Sequence, residues 1–304
     1  MMHTTHFFTS EDGTEIFYQK WLPKVKPIAV IQIAHGMAEH SSRYENFAQF
    51  LTDKGLAVYA NDHRGHGKTI PEGGIPGYFA DKNGWEKVLN DMHLLTDIAK
   101  SEIPDTPLFL FGHSMGSFLS RKYVGLWSSD IDGLIISGTG SNPQWLLNAG
   151  INLAAMMSKK KPSKLLDSMV FGNYNKNYPS QFQWLTNDQK IVDNYVNDPL
   201  CGFVCTGGFF VDMLKGLKML NDPRLNDNVD KNIPIFIIYG SKDPVGNYGK
   251  GVKQYIKQLE HEDFKNITEK IYYGSRHELL NELNKNEVYV DILNWVNEQL
   301  NSDE

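Results

Sequence analysis

The feature that most restricts what this chain can fold into is the stretch Leu108-Phe109-Leu110-Phe111-Gly112-His113-Ser114-Met115-Gly116-Ser117. An apolar run ends in Gly-x-Ser-x-Gly, and a helical pattern from Phe118 to Trp127 begins at once. A buried strand feeding a tight turn and then a helix is the context in which this pentapeptide denotes a nucleophile elbow. Such a turn strains the backbone at Ser114 so that its hydroxyl stands clear of the sheet. Glycine is required at 112 and 116 because a Cβ at either place collides with the neighbouring strand or helix.

The rest of the chain supplies a sheet to carry that turn. Phe7-Phe8-Thr9 and Glu15 to Trp21 flank Glu11-Asp12-Gly13 and read as an opening hairpin. Ile28 to Ala34 is a near-continuous apolar run, which predicts a central buried strand. Tyr44 to Lys54 repeats apolar residues at helical spacing and stops at Gly55. Leu56 to Ala60 reads as a strand, Trp85 to Lys100 as an amphipathic helix, and Gly133 to Ser137 as a further strand. The alternation breaks there and resumes with a strand at Pro234 to Gly240. A helix at Gly249 to Glu260, a strand at Ile267 to Tyr273 and a closing helix at Val288 to Leu300 follow. This order predicts an α/β fold, a mostly parallel sheet covered by helices on both faces. Between them, residues 141–220 hold no convincing strand. The expected organisation is therefore a core made of residues 1–140 and 221–304, with a helical cap inserted over the strand ends at 141–220.

A serine hydroxyl is a poor nucleophile until a base takes its proton, and a carboxylate must then orient the imidazole and stabilise its charged form. On a sheet of this kind the partners follow the serine in the order acid, then histidine. Beyond the elbow and the insertion only His261 and His277 remain. His261 lies in the charged run Glu260-His261-Glu262-Asp263, whereas His277 directly follows the last strand. A loop at a strand's carboxyl end is where such sheets present reactive groups, so His277 is the candidate base. The strand ending at Tyr239 runs into Gly240-Ser241-Lys242-Asp243-Pro244, which makes Asp243 the candidate carboxylate. The oxyanion of a tetrahedral intermediate needs donors. The backbone N–H groups of Met115, after the nucleophile, and of Met37, after the earlier central strand, occupy the expected places, with Gly36 letting that loop bend close.

Composition excludes other classes. The chain of 304 residues has a formal net charge of −6 and no long basic stretch, which argues against a nucleic-acid partner. The start, Met1-Met2-His3-Thr4, lacks the basic and apolar regions of a signal peptide, and no run of about 18 apolar residues is present. Cys201 and Cys205, four apart in a predicted helix, read as buried free thiols in a reducing cytoplasm. His35, His40, His63 and His66 lack metal-ligand spacing and read as loop-packing side chains. No metal or organic cofactor is implied. Glu39 and Arg43 suit either a local ion pair that orders the oxyanion loop or a solvated pair of little consequence.

Taken together, His35-Gly36-Met37-Ala38-Glu39-His40-Ser41-Ser42-Arg43-Tyr44, Asp62-His63-Arg64-Gly65-His66-Gly67, the Ser114 elbow, Gly240 to Gly246 and Arg276-His277-Glu278 resemble the monoacylglycerol lipase and lysophospholipase family of α/β-hydrolases, its bacterial members above all. Serine aminopeptidase-like and carboxylesterase relatives share several of these motifs. The resemblance implies a serine ester hydrolase acting on a monoacyl lipid, most simply a monoacylglycerol. Lysophospholipase or general carboxylesterase activity is the alternative, with an aminopeptidase or a non-catalytic receptor on the same fold behind. One departure is Met37-Ala38 where the better-known monoacylglycerol lipases carry Ala-Gly; the longer Met37 side chain narrows the pocket.

The cap should read the substrate. Asn142-Pro143 is a good helix start, and Gln144 to Ser158 is apolar around most of its circumference. Such a helix has two surfaces to bury, one on an acyl pocket and one on a membrane or micelle. Trp145, Leu146, Ile151 and Met156 are the candidate substrate-binding residues, with Gly36. Lys159-Lys160-Lys161 suits both the helix C-terminus and anionic headgroups. The expected location is cytoplasmic, peripheral to the membrane when the cap engages it.

Overall fold

In the computed structural model, which describes residues 1–301, the strands form one sheet in the order β1-β2-β4-β3-β5-β6-β7-β8. These are β1 Met2–Thr9, β2 Glu15–Leu22, β3 Ala29–Ala34, β4 Leu56–Asn61, β5 Leu108–His113, β6 Gly133–Ser137, β7 Ile235–Gly240 and β8 Ile267–Tyr272. β1 pairs antiparallel with β2 and β2 with β4; every later pairing is parallel. β3, β4, β5, β6 and β7 are buried at every residue, as strands covered on both faces must be.

Helices close both faces. α1 Glu45–Asp53 is the first, followed by α2 Gly84–Glu102 and α3 Met115–Trp127. Between β6 and β7 come α4 Gln144–Ala155, α5 Lys164–Phe171, α6 Gln189–Asn197 and α7 Gly207–Met219; α8 Lys250–His261 and α9 Lys285–Asn301 are the last helices among the described residues. One core layer joins the sheet to α2, α3 and α8 through Trp85, Leu89, Leu119, Tyr123 and Tyr255. The other joins it to α1 and α9 through Phe47, Leu51, Ile292 and Trp295.

The insertion holds no strand among the described residues, only an isolated bridge between Pro162 and Thr206. α7 packs on α2 and α3, and α4 packs on α7. α7 thereby joins the main core through Phe209 and Phe210, while a satellite cluster of Trp184, Leu185, Tyr195 and Cys201 forms above the strand ends. The cysteines differ from expectation. They lie in the loop between α6 and α7 rather than in a helix, Cys201 in the satellite cluster and Cys205 in the main core, both as buried free thiols. Leu200 and Gly202 beside them turn the chain back toward α7, which periodicity alone did not reveal. The expected core extends to residue 304, and residues 302–304 lie outside the described part. No helix among the described residues is long and apolar enough to cross a membrane.

Candidate active site

The elbow forms as its sequence requires. β5 ends at His113, α3 starts at Met115, and Ser114 between them takes φ 53° and ψ −120°, a strained conformation for a residue with a side chain. The turn is pinned by the Ser114 N–H donating to Ser137 O of β6 at 2.9 Å and by Ser117 Oγ donating to Ser114 O at 2.6 Å. A Cβ on Gly116 would stand 2.0 Å from Ala34 O, and one on Gly112 would stand 2.4 Å from Ser120 Oγ. Backbone and helix approach too closely for any other residue.

His277 follows β8 and Asp243 follows β7, so both emerge from the carboxyl edge where Ser114 stands. His277 Nδ1 donates to Asp243 Oδ2 at 3.0 Å, and both side chains are buried. Asp243 Oδ1 accepts from the Val245 N–H at 2.8 Å, which fixes the carboxylate. Burial alone would lower the His277 pKa; the charge and hydrogen bond of Asp243 outweigh it, and the pKa lies above the ordinary 6.5. With Nδ1–H engaged, Nε2 is the nitrogen left to act as base. Ser114 and His277 line the same cavity, and no hydrogen bond joins Ser114 Oγ to the ring among the described residues. Catalytic contacts of this sort commonly tighten only around a substrate.

Two aromatic rings pack against the candidate base. His113 lies against His277 with ring centroids 4.6 Å apart, and Trp184 of the insertion lies 5.1 Å away on centroids. Burial first, then the adjacent His277, holds the His113 imidazole down at about 4, so it adds no second positive charge at neutral pH. Gly138, at φ +65°, leaves room for the base: a Cβ there would lie 2.7 Å from His277 Cε1.

The candidate oxyanion side is the loop after β3. The Gly36 N–H donates to Glu39 Oε1 at 2.6 Å, closing a tight turn around Met37. No partner is found for the Met37 N–H or for the Met115 N–H, the latter at the start of α3, among the described residues. A free N–H at a helix N-terminus is a ready anion donor. Gly36 and Met37 line the cavity, and Met115 buries its side chain in the core beneath.

The other candidates for substrate contact are placed elsewhere. Trp145, Leu146, Ile151 and Met156 do not line the cavity; Trp145, on α4, is 71% exposed, and Met156, just past its C-terminal end, is 80% exposed. The walls come instead from later parts of the insertion: Phe171, Phe182, Trp184, Leu185, Tyr195 and Phe203. An all-round apolar helix does not disclose which side it buries, and α4 spends its inner side on α7 through Leu147 and Ala154. The aromatic spacing between 171 and 203 was the available sign, and it follows no single period.

Glu39 and Arg43 do pair, at 2.6 Å, and the pair is buried. Arg43 also grips Glu278 with both terminal nitrogens at 2.7 Å, a partner 235 residues away that local spacing could not disclose. Of the loop histidines, His35, His63 and His66 are fully buried and pack ring against ring. His40 Nε2 meets Asp198 Oδ2 at 2.9 Å, with the Cys201 sulfur close enough to make a three-donor group. Arg43, on the same network, opposes a cation there.

A serine at a strained strand–helix turn, a carboxylate-held imidazole and free backbone N–H groups on one edge of a parallel sheet define a serine hydrolase of the α/β-hydrolase fold. The chain belongs to the family described as serine aminopeptidase, S33, which matches residues 25–284. It is 28% identical over 294 residues to a monoacylglycerol lipase of Mycolicibacterium smegmatis, covering 96% of each chain. The human monoglyceride lipase is 29% identical over 299 residues, 95% of this chain and 88% of that one. A solved carboxyl esterase of Bacillus coagulans in complex with glycerol superposes with a TM-score of 0.90, at 29% identity over 99% of both chains.

Proposed function

We propose that the chain hydrolyses monoacylglycerols to fatty acid and glycerol through an acyl-enzyme. Ser114 Oγ attacks the ester carbonyl as His277 Nε2 takes its proton. Asp243 stabilises the imidazolium, and the Met37 and Met115 N–H groups bind the oxyanion. The C–O bond to glycerol breaks as His277 returns the proton to the leaving oxygen. Water, activated by the same imidazole, then attacks the acyl-serine and releases the acid.

The observation that carries this reading is the cavity at Ser114. Its walls set apolar side chains, Phe171, Phe182, Trp184, Leu185, Phe203 and Val204 among them, beside polar and charged ones such as Glu39, Asn175 and Gln181, and its volume of about 260 Å³ lies just below the usual range of ligand pockets, which suits one acyl chain rather than three. Asp167 adds a carboxylate to the wall, half-buried and without an ion pair among the described residues, its pKa raised by burial. Such a group welcomes the hydroxyls of glycerol and repels an anionic phosphate, which favours a glyceride over an acidic lysophospholipid. Residues 141–220 act as a cap over this cavity. The exposed Trp145, Leu146, Met156, Leu165 and Met169, with Lys159 to Lys161 beside them, support a transient cap contact with a membrane or micelle.

The test is a hydrolysis screen of monoacylglycerols of varied chain length alongside lysophosphatidylcholine, lysophosphatidic acid and an aminoacyl arylamide. Release of fatty acid from the glycerides at the highest kcat/KM is expected. Preferential cleavage of the arylamide or of either lysophospholipid overturns the substrate assignment.

A further inference from the structure

The oxyanion loop is held from more directions than a surface turn needs. Its Gly36 N–H is tied to Glu39 Oε1, which also accepts from Tyr44 Oη at 3.0 Å. Its Ala38 carbonyl, at a residue with φ 53°, accepts two hydrogen bonds from the insertion: Tyr195 Oη at 2.9 Å and the Gly202 N–H at 2.9 Å. The Met37 peptide therefore stands between two fixed points, one anchored in the core and one in the cap.

Arg43 joins this loop to the base. Its Nη1 donates to Glu39 Oε2, and both terminal nitrogens, Nη1 and Nη2, donate to the carboxylate of Glu278, the residue after His277. The Tyr195 ring covers the guanidinium with its centroid 4.8 Å from Cζ. Burial opposes the charge on Arg43, but Glu278 and Glu39 outweigh it and keep the group ionised. The His277 loop is also bonded to the insertion, its N–H and that of Glu278 donating to Trp184 O at 3.4 Å and Leu185 O at 2.7 Å.

We infer that Arg43 and Tyr195 are positioning residues that hold the Met37 N–H in register with His277, so that the placement of the cap sets the strength of the oxyanion hole. The inference rests on the serine mechanism proposed above. A fork-shaped, bidentate group suits this task because it fixes distance and angle at once, which a lysine's point charge does not. If the cap segment carrying Tyr195 lifts, the Ala38 carbonyl loses both of its donors and the Met37 peptide is free to turn.

The test compares Tyr195→Phe, which deletes one hydroxyl, with Arg43→Lys, which keeps the charge but not the fork. Each is assayed on a short soluble ester, with active sites counted by fluorophosphonate titration. Direct loss of an oxyanion donor costs on the order of 10²–10³ in rate, so a loosened donor should cost less. The expected result is a fall in kcat per titrated site of roughly 3- to 30-fold for Tyr195→Phe and roughly 10- to 100-fold for Arg43→Lys. KM should stay within about twofold, and affinity for a boronic acid, which forms a tetrahedral anion on the serine, should fall in parallel with kcat. Unchanged kcat per site in both variants, or a fall confined to the titrated fraction, overturns the inference. Ser114→Ala separates the two claims: if it retains turnover, the serine mechanism itself is wrong. If it is dead while both other variants keep full kcat, only the positioning role fails.

Discussion

At the scale of single residues, the proposed chemistry turns on how His277 is poised. Its pKa is raised by Asp243 against the opposing effect of burial. The imidazole must be neutral to take the Ser114 proton, so activity falls as pH drops through that pKa. The acid limb of kcat/KM on an uncharged ester is expected above the ordinary 6.5. In Asp243→Asn the largest raising charge and its hydrogen bond are gone, while burial and the weaker raising charges of Glu278 and Glu39 remain, so the limb should move to lower pH while kcat falls on the order of 10³–10⁴. An acid limb that stays in place in that variant contradicts the assignment of Asp243. Gly138 offers a second check, because a Cβ there meets His277 Cε1 at 2.7 Å in a left-handed conformation. Gly138→Ala should displace the ring and lower kcat by about 10²-fold, the usual cost of a misplacement near 1 Å. The triad candidates were legible in the sequence because each follows a recognisable strand. Glu278 as the partner of Arg43 was not, since only the closed sheet brings residues 235 apart together.

At the scale of elements, the elbow is the tightest piece of the molecule. A Cβ at 116 would press on the carbonyl of Ala34, which belongs to β3 and cannot rotate away. Gly116→Ala should therefore cost about 1–3 kcal/mol in urea unfolding and reduce activity together with stability. The strands were legible because five of them are buried on both faces and so read as apolar runs. Helix ends were less so: α2 extends from Gly84 to Glu102 beyond the expected Trp85 to Lys100, since end residues carry little periodicity. α4 was legible as a helix but not in its orientation. Its exposed Trp145 and the exposed Met156 just past its end give a separable prediction. Replacing both by serine should reduce co-sedimentation with anionic vesicles several-fold while leaving kcat on a short soluble ester unchanged. Unaltered vesicle binding would sink the membrane role of this face.

At the scale of the whole molecule, the sheet brings three distant segments to one edge, and aromatic side chains from the segment between β6 and β7 line the cavity there. The doubly covered sheet was readable from alternation alone. The cavity was not, because Phe171, Phe182, Trp184 and Phe203 derive their role from folding back over strand ends rather than from any local pattern. The central claim is that Ser114 is made nucleophilic by His277. Mass-spectrometric mapping of the adduct formed with a fluorophosphonate, timed in the intact chain and in His277→Ala, tests it most directly. The account requires a single adduct on Ser114, formed at least about 10³-fold more slowly without the imidazole. An adduct on another residue, or labelling of Ser114 at full rate in His277→Ala, contradicts it.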